Sequence, residues 1–112
     1  MPLKLDSNIN LASVAVSLGT NTHDLSIFGL SAASLIWITA LADFNLTGLS
    51  GGEDGRVMFI GLRGAFTITI QAENVGSAAS NRFAQAAILS AVTTGSIVTS
   101  WVYFGSRWRR WK

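Results

Sequence analysis

An all-β fold is what the sequence predicts: a small antiparallel sandwich or jelly roll, preceded by an extended N-terminal segment. Three features predict it. Phe66, Ile68 and Ile70 alternate with Thr67, Thr69 and Gln71, and residues 96–104 alternate in the same way. Residues 56–62 are apolar on both faces, as a central strand must be. Glycine-rich turns separate these segments.

The elements follow in chain order. Leu11, Val14, Val16 and Leu18 predict a first strand, closed by a turn at Gly19-Thr20-Asn21-Thr22. Residues 34–40 and 44–49 read as two more strands, with the bend at Ala42-Asp43. The linker at 48–55 is dense in glycine, and Gly48, Gly51, Gly52, Asp54 and Gly55 are its turn residues. Its glycines predict positive φ angles that other side chains hold only at a cost. Residues 56–62 and 65–71, joined through Gly61, Arg63 and Gly64, are expected to form a β-hairpin.

Residues 75–82 are small and polar, a loop with room for one helical turn. Residues 84–92 fit helix or strand. In residues 96–104, Ile97, Thr99, Trp101 and Tyr103 are placed on one face. Val98, Ser100, Val102 and Phe104 lie on the other. Gly105-Ser106 turns the chain into a last strand that lays Trp108 in the core and Arg109 and Trp111 outside. No internal repeat or heptad is evident. The division expected is an N-terminal arm or strand segment over 1–33 and a β-sandwich over 34–112.

Composition narrows the function. Of 112 residues, 49% are hydrophobic and only 12% charged, about half the charged share of an ordinary soluble domain. So few charges coat a free monomer poorly, so either other chains cover part of the surface or a membrane does. Residues 25–42 and 83–106 carry no charge and reach spanning length, but both are dense in Ser, Thr and Gly. A net charge of +2 does not argue for nucleic acid, and the absence of cysteine excludes disulfides and thiolate chemistry.

Candidate chemistry is sparse. His23 beside Asp24 is two-thirds of a hydrolytic triad without a third member at any recognisable spacing, and a surface turn is the better reading. Glu53 and Asp54 lack the alternating ligand spacing of a calcium loop. The glycine linker leads into a strand and lacks the Lys-Ser/Thr of a phosphate loop. Residues 107–112, Arg-Trp-Arg-Arg-Trp-Lys, suit base stacking, a membrane surface or the end of a packed strand, and the last is preferred. No catalytic residue, metal or cofactor is expected.

Residues 46–56 (Leu-Thr-Gly-Leu-Ser-Gly-Gly-Glu-Asp-Gly-Arg) are followed by an apolar strand and by Gly64-Ala65-Phe66-Thr67-Ile68-Thr69-Ile70. Next come Glu73-Asn74, then residues 77–83 (Ser-Ala-Ala-Ser-Asn-Arg-Phe), then residues 95–103 opening on Gly-Ser-Ile-Val-Thr, and Ser106-Arg107-Trp108-Arg109. In order and spacing this stretch resembles a domain recurrent in tailed-phage virion proteins, both tail-fibre or tailspike chains and small auxiliary particle proteins. It covers a little over half the chain. It departs from that pattern at Thr93-Thr94-Gly95, where a proline is usual, and at Phe104, where an aspartate is usual. Within the motif, Asn81 and Arg82 are suited to holding a loop's backbone and Phe83 to anchoring it in the core. Strand alternation and glycine turns in fixed order are not what a membrane helical hairpin would show.

The resemblance implies a non-enzymatic structural protein of the phage particle, made in the host cytoplasm and assembled into the virion. The role favoured is capsid decoration or cement, as a homo-oligomer (a trimer by preference) bound to the major capsid protein or other virion proteins. The alternative is a tail-fibre, head-fibre or tailspike component engaged in host attachment. A small phage membrane protein is the minor alternative; neither nucleic acid nor membrane is an expected partner. The interface candidates are Leu3, Leu5, Ile9 and Leu11 in the arm, with Trp108, Arg109 and Trp111 at the other end.

Overall fold

The computed structural model describes residues 12–92 and 95–111. Eight strands account for almost all of its regular structure: β1 Ser13–Leu18, β2 Leu35–Ala40, β3 Phe44–Leu46, β4 Val57–Arg63, β5 Thr67–Ile70, β6 Ala87–Ser90, β7 Ser96–Phe104 and β8 Arg107–Arg110. Two single 3-10 turns, Leu30–Ala32 and Ala79–Asn81, complete it. The fold is therefore mostly β, as predicted, and the regular element within residues 84–92 is the strand β6. The expected loop over 75–82 holds its one helical turn.

The strands form two open sheets, one of order β1-β2-β4-β7-β8 and one of order β3-β5-β6. Pairing in both is mixed, which corrects the antiparallel expectation. β1, β2 and β4 run parallel, as do β3 and β5, whereas β4–β7, β7–β8 and β5–β6 are antiparallel. The expected hairpin does not form, because β4 and β5 lie in different sheets. Both lateral edges of β4 are occupied by β2 and β7, so the turn at Gly64 (φ 102°) carries the chain across to the second sheet.

From β1 to β5 the parallel pairings share a step of 22 to 24 residues. Ser13 lies beside Leu35, a step of 22 residues, and Leu35 beside Phe59, a step of 24. Phe44 beside Ile68, Thr22 beside Leu46 and Leu25 beside Leu49 are also 24 apart. From β1 to β5 the chain thus winds as stacked coils, each laid on the one before. This is an internal structural repeat, although none is evident in the sequence. The antiparallel strands β6, β7 and β8 close the far side.

Residues 13–33 belong to this body. β1 is a full member of the larger sheet, and Leu25 and Leu30 are buried in the same core as Ile36, Ile60 and Trp101. The core lies between the two sheets. Ile36 and Ile38, Met58, Ile60 and Leu62, and Trp101 and Trp108 face Phe44, Leu46, Ile68, Ile70 and Leu89. Phe83 tilts against Trp101 with ring centroids 4.8 Å apart. The indole N–H of Trp101 donates to Thr99 Oγ1, whose hydroxyl donates to Ile60 O, so the buried polar atoms are satisfied. The face assignment made for residues 96–104 is the one observed, with Thr99, Trp101 and Tyr103 buried.

Candidate interaction surface

The outer face of the larger sheet is set by the alternation that builds the core. Each strand that sends one row of side chains inward must send the other row outward. On β4 the outward row is Val57, Phe59, Gly61 and Arg63, on β2 it is Leu35, Trp37 and Thr39, and on β7 it is Ser96, Val98, Ser100, Val102 and Phe104. Register brings them together, since Leu35 lies beside Phe59, Gly61 beside Val98, and Val57 beside Val102. The middle of the face is apolar except for Ser100, which lies beside Phe59, while Thr39, Arg63 and Ser96 stand side by side at one end.

Arginines frame this apolar face. Trp37 lies across β4 because Gly61 has no side chain there; a Cβ on Gly61 would sit 2.6 Å from the indole. The Arg63 guanidinium then covers the Trp37 ring, 4.2 Å from its centroid. At the opposite end, Arg109 stands 4.5 Å over the Phe104 ring and donates from Nε to Phe104 O. Trp111 is 53% exposed and Phe104 51%. The N–H of Trp111 donates to Ser100 O and the Ser100 hydroxyl to Trp111 O, which holds the terminal residues against β7.

Of the expected interface residues at this end, Arg109 and Trp111 reach the surface. Trp108 does not. It is fully buried, its indole N–H donates to Leu49 O, and Tyr103 meets it edge-on at 5.1 Å. A side chain so placed serves the core and offers nothing to a partner. Leu3, Leu5, Ile9 and Leu11 lie outside the described residues.

The turn and anchor residues converge at one end of the coils. Gly51 and Gly55 adopt positive φ (83° and 89°), as the linker predicts. Gly48 and Gly52 are needed for a different reason, close approach. A Cβ on Gly52 would fall 2.1 Å from the Tyr103 ring, and one on Gly48 would fall 2.3 Å from Ser77 Oγ. Asp54 is exposed in the tight turn before Gly55.

Arg56, a motif residue whose neighbours in sequence give no hint of its role, is the clamp of this loop. Its guanidinium donates to the carbonyl oxygens of Gly51 (2.5 Å), Leu30 (2.6 Å) and Ala33 (3.0 Å). The Arg82 side chain holds a loop's backbone, whereas the Asn81 side chain goes to the Asp24 carboxylate and only its main-chain carbonyl joins the loop. Asn81 O accepts from Leu49 N, and Arg82 Nε donates to Ser77 O. Phe83 is the buried anchor, joined by main-chain bridges to both Ala72 and Trp108.

His23 and Asp24 belong to the same knot. His23 Nδ1 lies 2.6 Å from Thr47 Oγ1, which lies 2.7 Å from Ser77 Oγ. Both Thr47 and Ser77 are buried. Asp24 Oδ1 accepts from Asn81 Nδ2 (2.9 Å) and from Ala78 N (2.8 Å). The Asn81 amide chiefly holds the Asp24 carboxyl below the ordinary aspartate value. Partial desolvation opposes it, and Ala78, Ser77 and His23 add to the lowering. What Asp24 does here is stitch the first coil to the 77–82 loop.

Among the described residues, no three His, Cys, Asp or Glu side chains come close enough to share a metal ion, and no helix is long and apolar enough to cross a membrane. Comparison with family models, with curated proteins and with solved structures finds no match to this chain.

Proposed function

We propose that this chain is a non-enzymatic structural protein of a tailed-phage particle, a capsid decoration or cement protein that acts by binding copies of itself and neighbouring virion proteins. The observation that carries the reading is the outer face of the larger sheet. Leu35, Trp37, Phe59, Val98, Val102 and Phe104 form a mainly apolar surface, interrupted by Ser100, bordered by arginines and free of carboxylates. Such a surface is stable in water only at a cost, and covering it is favourable by about 25 cal/mol per Å² of apolar area. A standard interface of about 1,600 Å² supplies a large gross driving force, much of it offset by association costs. Repetition over a shell multiplies what remains.

The order of motif residues from the glycine linker to Trp108 supports placing the chain in a virion. Those residues also share a structural task, since Gly48, Gly51, Gly52, Arg56, Asn81 and Phe83 all close one end of the coils. In this reading the two sheets act as a compact sandwich that assembles as a trimer.

A second reading, a fibre or spike component, is favoured by the parallel coils, whose stacking direction offers a natural axis for a longer shaft. One experiment separates the two. Purified protein is incubated with capsids lacking it and with host cells. A cement protein binds capsids and is seen on their surface by electron microscopy; a fibre component binds cells. Binding to neither defeats both readings.

The arm is tested separately. A deletion through Leu30 would remove β1 and two core residues, so the informative truncation stops at residue 11. If the arm reaches the partner, this truncated protein stays folded and loses capsid binding.

A further inference from the structure

We infer that the free edge of β1 is a pairing site for a second copy of this chain, the two β1 strands lying antiparallel about a two-fold axis through Ala15. Ala12 O accepts from Ser34 N and Leu18 O from Leu41 N, so the even-numbered residues of β1 direct their main-chain groups toward β2. The N–H and C=O groups of Ser13, Ala15 and Ser17 therefore point to the open side, where no described strand lies. Pairing groups along an edge recruit another strand unless charge, proline or a bulge prevents it. Residues 12–22 contain no charged residue and no proline. The other end of the same sheet is guarded: β8 carries Arg107, Arg109 and Arg110 and is met by Phe83.

The sequence of β1 selects a copy of itself as the occupant. Antiparallel neighbours directly opposite one another point to the same face. With Ala15 opposite Ala15, Ser13 stands opposite Ser17 on the outer side and Val14 opposite Val16 on the core side. All three outward-directed residues fall on hydrogen-bonded pairs, giving six main-chain hydrogen bonds, and no like charges meet. Val14, Val16 and Leu18 are only partly buried in one chain, and the second strand extends the core over them. Phe28, 102% exposed, stands at this same end, where Gly29 lies against Val14. It adds apolar area to the contact. The pairing goes beyond the virion reading and does not depend on it.

The chain has no cysteine, which allows a direct test of register. On the axis, the two Ala15 Cα atoms lie about 5.5 Å apart, within disulfide range, whereas two Ser13 Cα atoms lie roughly 14 Å apart. Oxidised Ala15→Cys is therefore expected to form a covalent dimer, and Ser13→Cys is not. Ala15→Lys, which sets like charges opposite each other, should weaken association about tenfold or more and halve the sedimenting mass, with the circular dichroism of the fold unchanged. Equal cross-linking of the two cysteine variants, cross-linking of neither, or the same mass for wild type and Ala15→Lys overturns the inference. The last two results are also what residues 1–11 of the same chain would produce by covering the edge.

Discussion

Two glycines in one loop are held for opposite reasons, and substitution separates them. Gly52 faces the Tyr103 ring, so Gly52→Ala forces that ring or the loop to move and is expected to cost about 2–3 kcal/mol. Gly55 has open space around its α-carbon and only a positive φ, so Gly55→Ala should cost about 1 kcal/mol. Urea denaturation of both variants checks the order, and a larger loss at Gly55 would contradict the contact with Tyr103. Asp24 makes a prediction of a different kind. Its folded-state pKa is depressed, so its contribution is fully present above the ordinary aspartate value and is lost as pH falls through the lowered one. Wild type should therefore lose more stability between pH 5 and pH 2 than Asp24→Asn, which has no such proton to bind. Equal acid sensitivity would remove Asp24 from the knot's energetics. At this scale the sequence was partly legible. Asp24 could be named as a turn residue, but its partners Ala78 and Asn81 stand more than fifty positions away, and no local pattern points to them.

At the scale of elements, strands whose two faces differ could be read directly. Residues 96–104 disclose both faces because each face has its own chemistry, and the last strand buries Trp108 as its alternation requires. Partnership between strands was less legible. A short glycine-bearing connection such as Arg63-Gly64 suits a hairpin as well as a crossing between sheets. Only the occupancy of both edges of β4 decides it. The parallel step of 24 was equally obscure, since stacked positions share burial more than identity. Ile36 and Ile60 match, but Trp37 stacks beside Gly61 and Thr22 beside Leu46. Two substitutions test the division of labour between faces. Trp108→Ala should cost about 3–5 kcal/mol in stability, as expected for a fully buried indole. Val98→Asp, on the outer row, should change stability by less than about 0.5 kcal/mol while impairing assembly on the particle. A Val98→Asp protein that assembles normally would remove the outer face from the proposed function.

For the whole molecule, topology sets the expectation. Its parallel strand pairs join residues 22 or 24 apart, and β4 must find β7 across the entire second sheet. Such non-local pairing delays the favourable contacts until long loops have closed, so refolding is expected in milliseconds to seconds rather than microseconds. Stopped-flow dilution from urea measures it directly. The four tryptophans make the readout unusually informative. Trp101 and Trp108 are sealed in the interior, Trp37 is half-covered beneath a guanidinium, and Trp111 is open to solvent. The inner pair reports whether the polypeptide has folded, and the outer pair reports whether something has settled on its surface. Acrylamide quenching of the native protein, repeated with capsids present, would register docking through Trp37 and Trp111 while the emission of Trp101 and Trp108 stayed constant. The polypeptide thus carries separate optical channels for its own folding and for its company.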